Sequence, residues 1–438
     1  MGKSHVNDPE LVRLLEIEKQ IVKGGKGLRI LSAISWPPTA IDGFLESWRA
    51  GNPTIPQVEL TPPEGTDEVI ECMEDAMRKL SREHPLGDVL WKTAWSYATG
   101  ARMLQSMGTQ GFTDRSTELY GRPDTTRKRQ GWSDLDAAEF MLAKSGELIS
   151  SCVIPEAEAT ISAEELASRL AARIDPIFTE DRITVEVDPA LASKAAAGTR
   201  RVRLRGGAMF SELDEGQLFE HEVMIHSATK LNGIHQPYLD VLELGAPRTT
   251  RTQEGLATMA ELMTGSMDLN RLRRIALRVR AVSMALGGAD FIEVFKMFLD
   301  EGQSEAESAQ SAARVFRGGD PRGGIAFTKD STYITGLIEV STFLRMAVRD
   351  GRPELIPLLF AGRVTLGDVV VLAPLMEEGI VVGPRYIPTW ASDLRRLTAT
   401  LTYWAFTSFV KLEQLTLDMA IDIDENPIES SSSAEMFV

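Results

Sequence analysis

The sequence predicts a mainly α-helical α+β protein with one small antiparallel β-sheet, and three observations carry that expectation. Apolar residues recur at helical spacing along most of the chain, whereas strict alternation is confined to two short segments, residues 183–187 and 202–204. With 438 residues, 43% hydrophobic and 25% charged, the chain can bury a large core without staples. Its formal charge of −16 repels nucleic acid and anionic membrane. The two cysteines, Cys72 and Cys152, lack a C-x-x-C spacing and indicate neither a disulfide framework nor a thiolate metal site. The N-terminus is polar with no apolar signal core, and Leu397–Val410 is shorter than the roughly 20 residues that span a bilayer. The expected location is cytoplasmic, and the Leu397 stretch reads as a buried helix.

Leu11, Leu14, Leu15, Ile17 and Ile21 make an amphipathic helix that ends before Pro37-Pro38. The proline-rich segment 51–65 reads as a linker, followed by helices from Thr66 toward Glu83 and from Gly87 to Met107. The polar, arginine-rich run 114–131 reads as an exposed loop. Ser162 with Glu165 forms a capping-box pattern opening a helix, and the two alternating strands follow, joined by a turn-rich Ala/Gly connection. Ser211 with Asp214 opens the next helix, which carries QLFEHEVMIHSATKLNG and stops near Asn232-Gly233. Further helices are expected around 253–264, 267–286, 290–301, 304–316, 331–350 and 390–418, with Gly-rich breaks at 287–288 and 318–324. The division follows: an N-terminal helix and linker over 1–59; a main region over 60–421, with a helical part 60–175, a core 176–265 and a helical part 266–421; and a disordered tail over 422–438.

Only five histidines occur, yet His221 and His226 bracket the segment HEVMIH with Glu222 beside the first. Two imidazoles on one helix can hold a zinc ion, and an adjacent glutamate can take a proton from its water. The five-residue step differs from the usual four. In a regular α-helix it rotates the second side chain by about 140°, so a π-bulge with i to i+5 hydrogen bonds is expected at 221–226 to return both rings to one face. A third protein ligand is needed. Glu254, in RTTRTQEGLATMAEL with Thr250 or Thr252 as helix cap, is the natural carboxylate. Glu261, seven residues later on the same face, is a competing ligand or a partner of a ligating histidine, and Asp214 and Glu220 are weaker candidates. His235 is either a neighbour of the metal or a loop histidine bonded to backbone, while His5 and His84 read as surface residues.

With HEVMIH, NGIHQP, RTTRTQEGLA, GADF, FRGG and FTKDSTY in this order, the chain resembles the QEGLA-motif family over roughly Leu60–Arg396. Some bacterial members of that family carry the label of flavohaemoglobin expression modulators, which states no mechanism. The family is similar to the microtubule-associated tyrosine carboxypeptidases, zinc enzymes with an HExxxH motif and a later glutamate in an EGLA context. The resemblance implies a zincin-like zinc helix beside the small sheet. It also implies Zn2+ held by His221, His226 and Glu254, with Glu222 as general base. It favours a zinc metallocarboxypeptidase acting on a peptide or protein C-terminus. The alternatives are a zinc endopeptidase on the same site and a non-catalytic regulatory or scaffold protein with a structural metal. Microtubule binding is not inferred, because a charge of −16 opposes docking on acidic tails unless a local basic patch compensates.

A carboxypeptidase must grip a terminal carboxylate. Lys329 is a candidate, with Tyr333 four residues on as a donor to the oxyanion; pairing of Lys329 with Asp330 or another acid is the alternative. Arg248 and Arg251 flank the approach to Glu254 and either bind substrate or brace the loop. Arg201, Arg203 and Arg205 lie on a strand that could receive a peptide as an edge or stand as a solvated edge. Arg271, Arg273, Arg274, Arg278 and Arg280 form a basic helix, read as a solvated face or as an attractor of acidic peptide.

Overall fold

The computed structural model describes residues 8–127, 131–151, 159–191 and 194–407. His5, Cys152, the end of the expected last helix and the tail 422–438 lie outside them. The N-terminal half runs α1 (Pro9–Gly25), α2 (Ile30–Ala33), α3 (Pro38–Arg49), α4 (Thr66–Lys79), α5 (Pro85–Gln105), α6 (Gln110–Tyr120) and α7 (Asp134–Ser151). Asp8 caps α1 by accepting from the Glu10 amide. Leu14 and Ile21 carry α1 into the main core, shared with Met73, Leu90 and Leu256. Segment 51–64 holds neither helix nor strand.

The arginine-rich run after residue 114 is not the expected loop as far as Tyr120. It continues α6, whose Phe112, Ser116, Leu119 and Tyr120 are buried. Ser116 and Thr113 bond the segment 326–328, so polar residues supply part of the buried face, and an apolar-periodicity reading passes over them.

Two small sheets follow. β1 (Ile161–Ser162) precedes α8 (Ala163–Ile174), which Ser162 caps through the Glu165 amide. Then come β2 (Thr184–Asp188), β3 (Ala195–Gly198), β4 (Arg201–Arg205) and β5 (Met209–Phe210). β1 pairs antiparallel with β5, and β3 pairs antiparallel with β4. The expected antiparallel arrangement does not extend to β2, which runs parallel to β4 in a sheet of order β2-β4-β3. The Ala/Gly connection itself forms β3, and that reverses the chain once more before β4. β4 is therefore the central strand, with both edges paired, and cannot serve as a peptide-receiving edge.

Ser211 and Asp214 form the expected reciprocal capping box opening α9 (Glu212–Gln217). The same helical rod continues as a π-helix (Leu218–Ser227) and then as α10 (Ala228–Ile234). Its Phe219, Val223 and Met224 pack with Leu166, Val202 and Leu204 under the three-stranded sheet. The C-terminal half adds α11 (Thr250–Met263), α12 (Leu269–Leu286), α13 (Phe291–Asp300), α14 (Glu305–Phe316), α15 (Thr332–Arg349), α16 (Leu355–Leu358), α17 (Leu366–Glu377), α18 (Thr389–Ser392) and α19 (Leu394–Thr407). α19 is half-buried rather than buried: Leu397 and Leu401 face the core, but Tyr403 and Phe406 are exposed. Among the described residues no helix is long and apolar enough to cross a membrane.

Candidate active site

The distortion that the HEVMIH spacing requires is present and wider than expected, covering Leu218–Ser227. With i to i+5 bonding, a five-residue step returns to the same face. The His221 and His226 rings accordingly stand 4.9 Å apart, centroid to centroid, at an interplanar angle of 79°.

The opposite wall is α11. It does not start with a threonine side-chain cap: a short 3-10 turn, Pro247–Thr249, runs directly into it, and Thr249 makes no side-chain capping bond. Thr229 donates to Gln253 at 2.9 Å, tying the rod to α11. On its other side α11 crosses α15 at Gly255 and Gly336. A Cβ on Gly255 would stand 2.3 Å from the Gly336 backbone, so the glycine of the EGLA sequence permits this close crossing. The crossing sets Glu254 beside the start of α15, where Lys329 donates to Glu254 Oε1 at 2.7 Å.

Glu254 Oε2 is buried and has no hydrogen-bond partner. It lies 3.7 Å from His221 Nε2 and 3.9 Å from His226 Nε2. On His221 the other ring nitrogen, Nδ1, lies 2.6 Å from Glu261 Oε1. A carboxylate can only accept, so Nδ1 is the donor, and in the neutral ring the lone pair sits on Nε2. His221 Nε2, His226 Nε2 and the partnerless Glu254 Oε2 thus face one another, and the ligand atoms of the three residues all lie within 4.8 Å of one another. Electron-rich atoms in a buried space repel unless a cation lies between them, so this donor set fits a metal ion.

The surrounding charges hold the arrangement in place. Burial works against ionisation of Glu261, but the His221 hydrogen bond and the Arg271 guanidinium, 3.0 Å away, hold its carboxyl at about 2. Glu254 is buried as well, yet Lys329 and the two imidazoles keep it well below the usual carboxylate range. Burial and the neighbouring His221 lower His226, whereas for His221 the carboxylates around it outweigh burial and raise it. Glu222 Oε1 stands 3.9 Å from His221 Nε2, and its side chain is 34% exposed, at the mouth of the cluster.

The remaining expected residues divide. Glu261 is a partner of His221, not a rival ligand. Asp214 caps α9, and Glu220 pairs with Arg173. His235 is neither a metal neighbour nor bonded to backbone through its ring: it pairs with Asp181, which also accepts from Tyr386 and Arg200. Lys329 is engaged by Glu254, so the acid it pairs with is the one that faces the two histidines. Tyr333 packs its ring 5.2 Å from Lys329 Nζ. The structure does not bring Arg248 or Arg251 to the histidines. Arg248 pairs with Asp368 at 2.6 Å, and Arg251 donates to Tyr120 O and Glu339. Nearness to Glu254 in sequence misleads here, because Asp368, Tyr120 and Glu339 engage these side chains.

A cleft of about 970 Å3 opens on His221 and Glu222. Its walls carry Arg203 and Arg205 of β4, Arg271, Arg274 and Arg278 of α12, Arg314 of α14 and Arg317 just beyond it. The basic run on α12 is therefore two faces: the 271, 274, 278 spacing follows one helix stripe into the cleft, while Arg273 and Arg280 pair with Glu301 on another. That stripe was legible in the sequence as an i, i+3, i+7 pattern; Arg314 and Arg317 carried no comparable signal.

The family model described as microtubule-associated tyrosine carboxypeptidase matches residues 44–408, so the chain belongs to that family. No curated protein matches the chain.

Proposed function

We propose that this member of the microtubule-associated tyrosine carboxypeptidase family is a zinc-dependent metallocarboxypeptidase that removes the last residue of a peptide or protein. The observation that carries the reading is the partnerless Glu254 Oε2 converging with two imidazole nitrogens beside the half-exposed Glu222. His221, His226 and Glu254 would hold the zinc, with a zincin-like helix distorted to π geometry. A metal bound there supplies Lewis-acid polarisation of the scissile carbonyl and acidifies water.

The chain's own residues do the rest. Glu222, at the open side of the cluster, takes the proton of the attacking water and returns it to the leaving amine. Glu261, itself locked by Arg271, fixes the His221 ring and its tautomer. Lys329 is a positioning residue that orients Glu254 through Oε1 and leaves Oε2 for the metal. Tyr333, beside Lys329, supplies a hydroxyl donor to the developing oxyanion. The division into a zinc core over 176–265 between helical parts 60–175 and 266–421 accompanies this reading.

Arginines concentrated in the cleft answer the electrostatic objection raised by the net charge. Locally the field is positive, which supports an acidic C-terminal segment as substrate. A structural metal would gain nothing from a partly exposed glutamate at its open side. The test is mass spectrometry of a synthetic acidic peptide incubated with zinc-loaded protein. The reading expects loss of the final residue alone, and none with Glu222→Gln at equal zinc content. Internal cleavage, or undiminished hydrolysis by Glu222→Gln, would overturn it.

A further inference from the structure

The arginines around the cleft are not alike in their pairing. Arg271 has Glu261 at 3.0 Å, Arg314 has Asp330 at 2.6 Å and Arg203 has Asp188 at 3.3 Å. Three have no ion-pair or hydrogen-bond partner among the described residues: Arg274, and the pair Arg278 and Arg317, of which the Nε of Arg317 is buried without an acceptor. Arg278 and Arg317 sit in the same electrostatic neighbourhood, facing Arg314, Asp330 and Tyr333. Three guanidiniums there share the single carboxylate of Asp330, which Arg314 already engages through both of its oxygens. The other local cations, Lys329 and Arg271, are matched one to one by Glu254 and Glu261. Around Asp330 two positive charges are thus left over in a partly buried setting, an arrangement that costs stability unless an anion joins them.

The place of this excess is informative. The Arg278 guanidinium lies 5.4 Å over the Tyr333 ring, and Lys329 Nζ, which holds the metal-facing Glu254, lies 5.2 Å from the same ring. The Arg317 guanidinium lies 5.6 Å over Phe327, two residues before Lys329. Arg278 is thus linked to Glu254 through the Tyr333 ring and Lys329, and Arg317 packs on the segment that carries Lys329. Burial and the neighbouring Arg314 push both arginines below their ordinary value, Arg278 to about 10, with Asp330 and Tyr333 opposing the shift only in part.

We propose that Arg278 and Arg317 form the subsite that binds the substrate's terminal carboxylate. The inference rests on the carboxypeptidase reading and takes over the role first expected of Lys329, Arg248 and Arg251. A guanidinium matches a carboxylate with two parallel N–H donors, and the Tyr333 and Phe327 rings support the planar groups from behind. Removing one such donor to a charged group corresponds to about 1.5–3 kcal/mol, or roughly 10–150-fold in affinity.

The experiment uses zinc-loaded, catalytically silenced Glu222→Gln protein and two fluorescent peptides of identical acidic sequence, one with a free C-terminal carboxylate and one amidated. The free acid should bind at least about 10-fold more tightly. In the Glu222→Gln background, Arg278→Gln and Arg317→Gln should each lose most of that preference, and Arg278→Lys should restore part of it. In the otherwise unsubstituted enzyme the same arginine changes should raise KM for the free acid with a smaller effect on kcat. If Arg278→Gln loses its helical circular dichroism signal, Arg317→Gln and the acid-against-amide comparison decide alone. Equal binding of acid and amide, or an acid preference untouched by either substitution, overturns the subsite while leaving hydrolysis standing. An unsubstituted enzyme that releases no terminal residue but retains an arginine-dependent acid preference overturns the catalytic reading and supports the subsite.

Discussion

The two histidine–carboxylate clusters on one helical rod make opposite use of the same parts. At the π-helical segment, His221 gives Nδ1 to Glu261 and turns Nε2 toward His226 and a carboxylate oxygen with no donor. At the end of α10, His235 gives Nε2 to Asp181, whose oxygens also take Tyr386 and Arg200. The first cluster leaves a buried carboxylate oxygen without a donor and could hold a cation. The second is complete in itself: Asp181 is held below its ordinary value, because His235, Tyr386 and Arg200 outweigh its burial. A histidine beside an acid is therefore no sign of a metal site. What distinguishes one is the direction of the second ring nitrogen and the accounting of lone pairs around it.

That comparison is broken most severely by exchanging the two histidines as targets. His221→Ala should abolish metal binding and reduce peptide hydrolysis by at least about 1,000-fold, while His235→Ala should keep the metal and activity within a few-fold. Comparable metal loss in both variants would erase the distinction. Next comes Glu261→Gln, which keeps the shape but weakens the acceptor for His221. Metal affinity in competition with a chelator should fall about 10–100-fold. His235→Ala should act on stability instead, by about 1–3 kcal/mol in urea unfolding, since the buried Asp181 loses a partner.

The smallest effect concerns a carboxylate with no ion pair among the described residues. Glu18 is 1% exposed and, among the described residues, bonded only by the Val241 amide; burial raises its carboxyl to about 7. The folded chain thus holds this proton more tightly than the unfolded chain, so the stability that it contributes is present at low pH and is lost as pH rises through about 7. Glu18→Gln should flatten that decline, and thermal melts of both proteins between pH 5 and 8 would show it as a narrowing gap in Tm toward acid. Parallel pH profiles would contradict it.

Much of the site could be read from residue types and spacing. The five-residue step between His221 and His226 required a π turn because no α-helix places those rings together, and the structure contains one. Glu261 was placed on the histidine side by its seven-residue spacing from Glu254, though only the fold decides between ligand and hydrogen-bond partner. Other features depend on distant contacts. Arg248 and Arg251 lie near Glu254 in sequence, but Asp368 and Glu339, far along the chain, claim them. α6 hid in a polar run because its buried face includes Thr113 and Ser116, satisfied by segment 326–328. β2 and β4 alternated as strands should, but their parallel pairing was set by the intervening β3, which local pattern does not reveal. Net charge misled about the cleft, since it sums over the whole surface while seven arginines line this one cleft.

The most direct test of the central claim is the metal content of the purified protein by element-resolved mass spectrometry, with His221→Ala prepared identically. The account predicts about one zinc per chain, absent from the variant. No metal in either protein after incubation with zinc, or the same metal content in both, would contradict it.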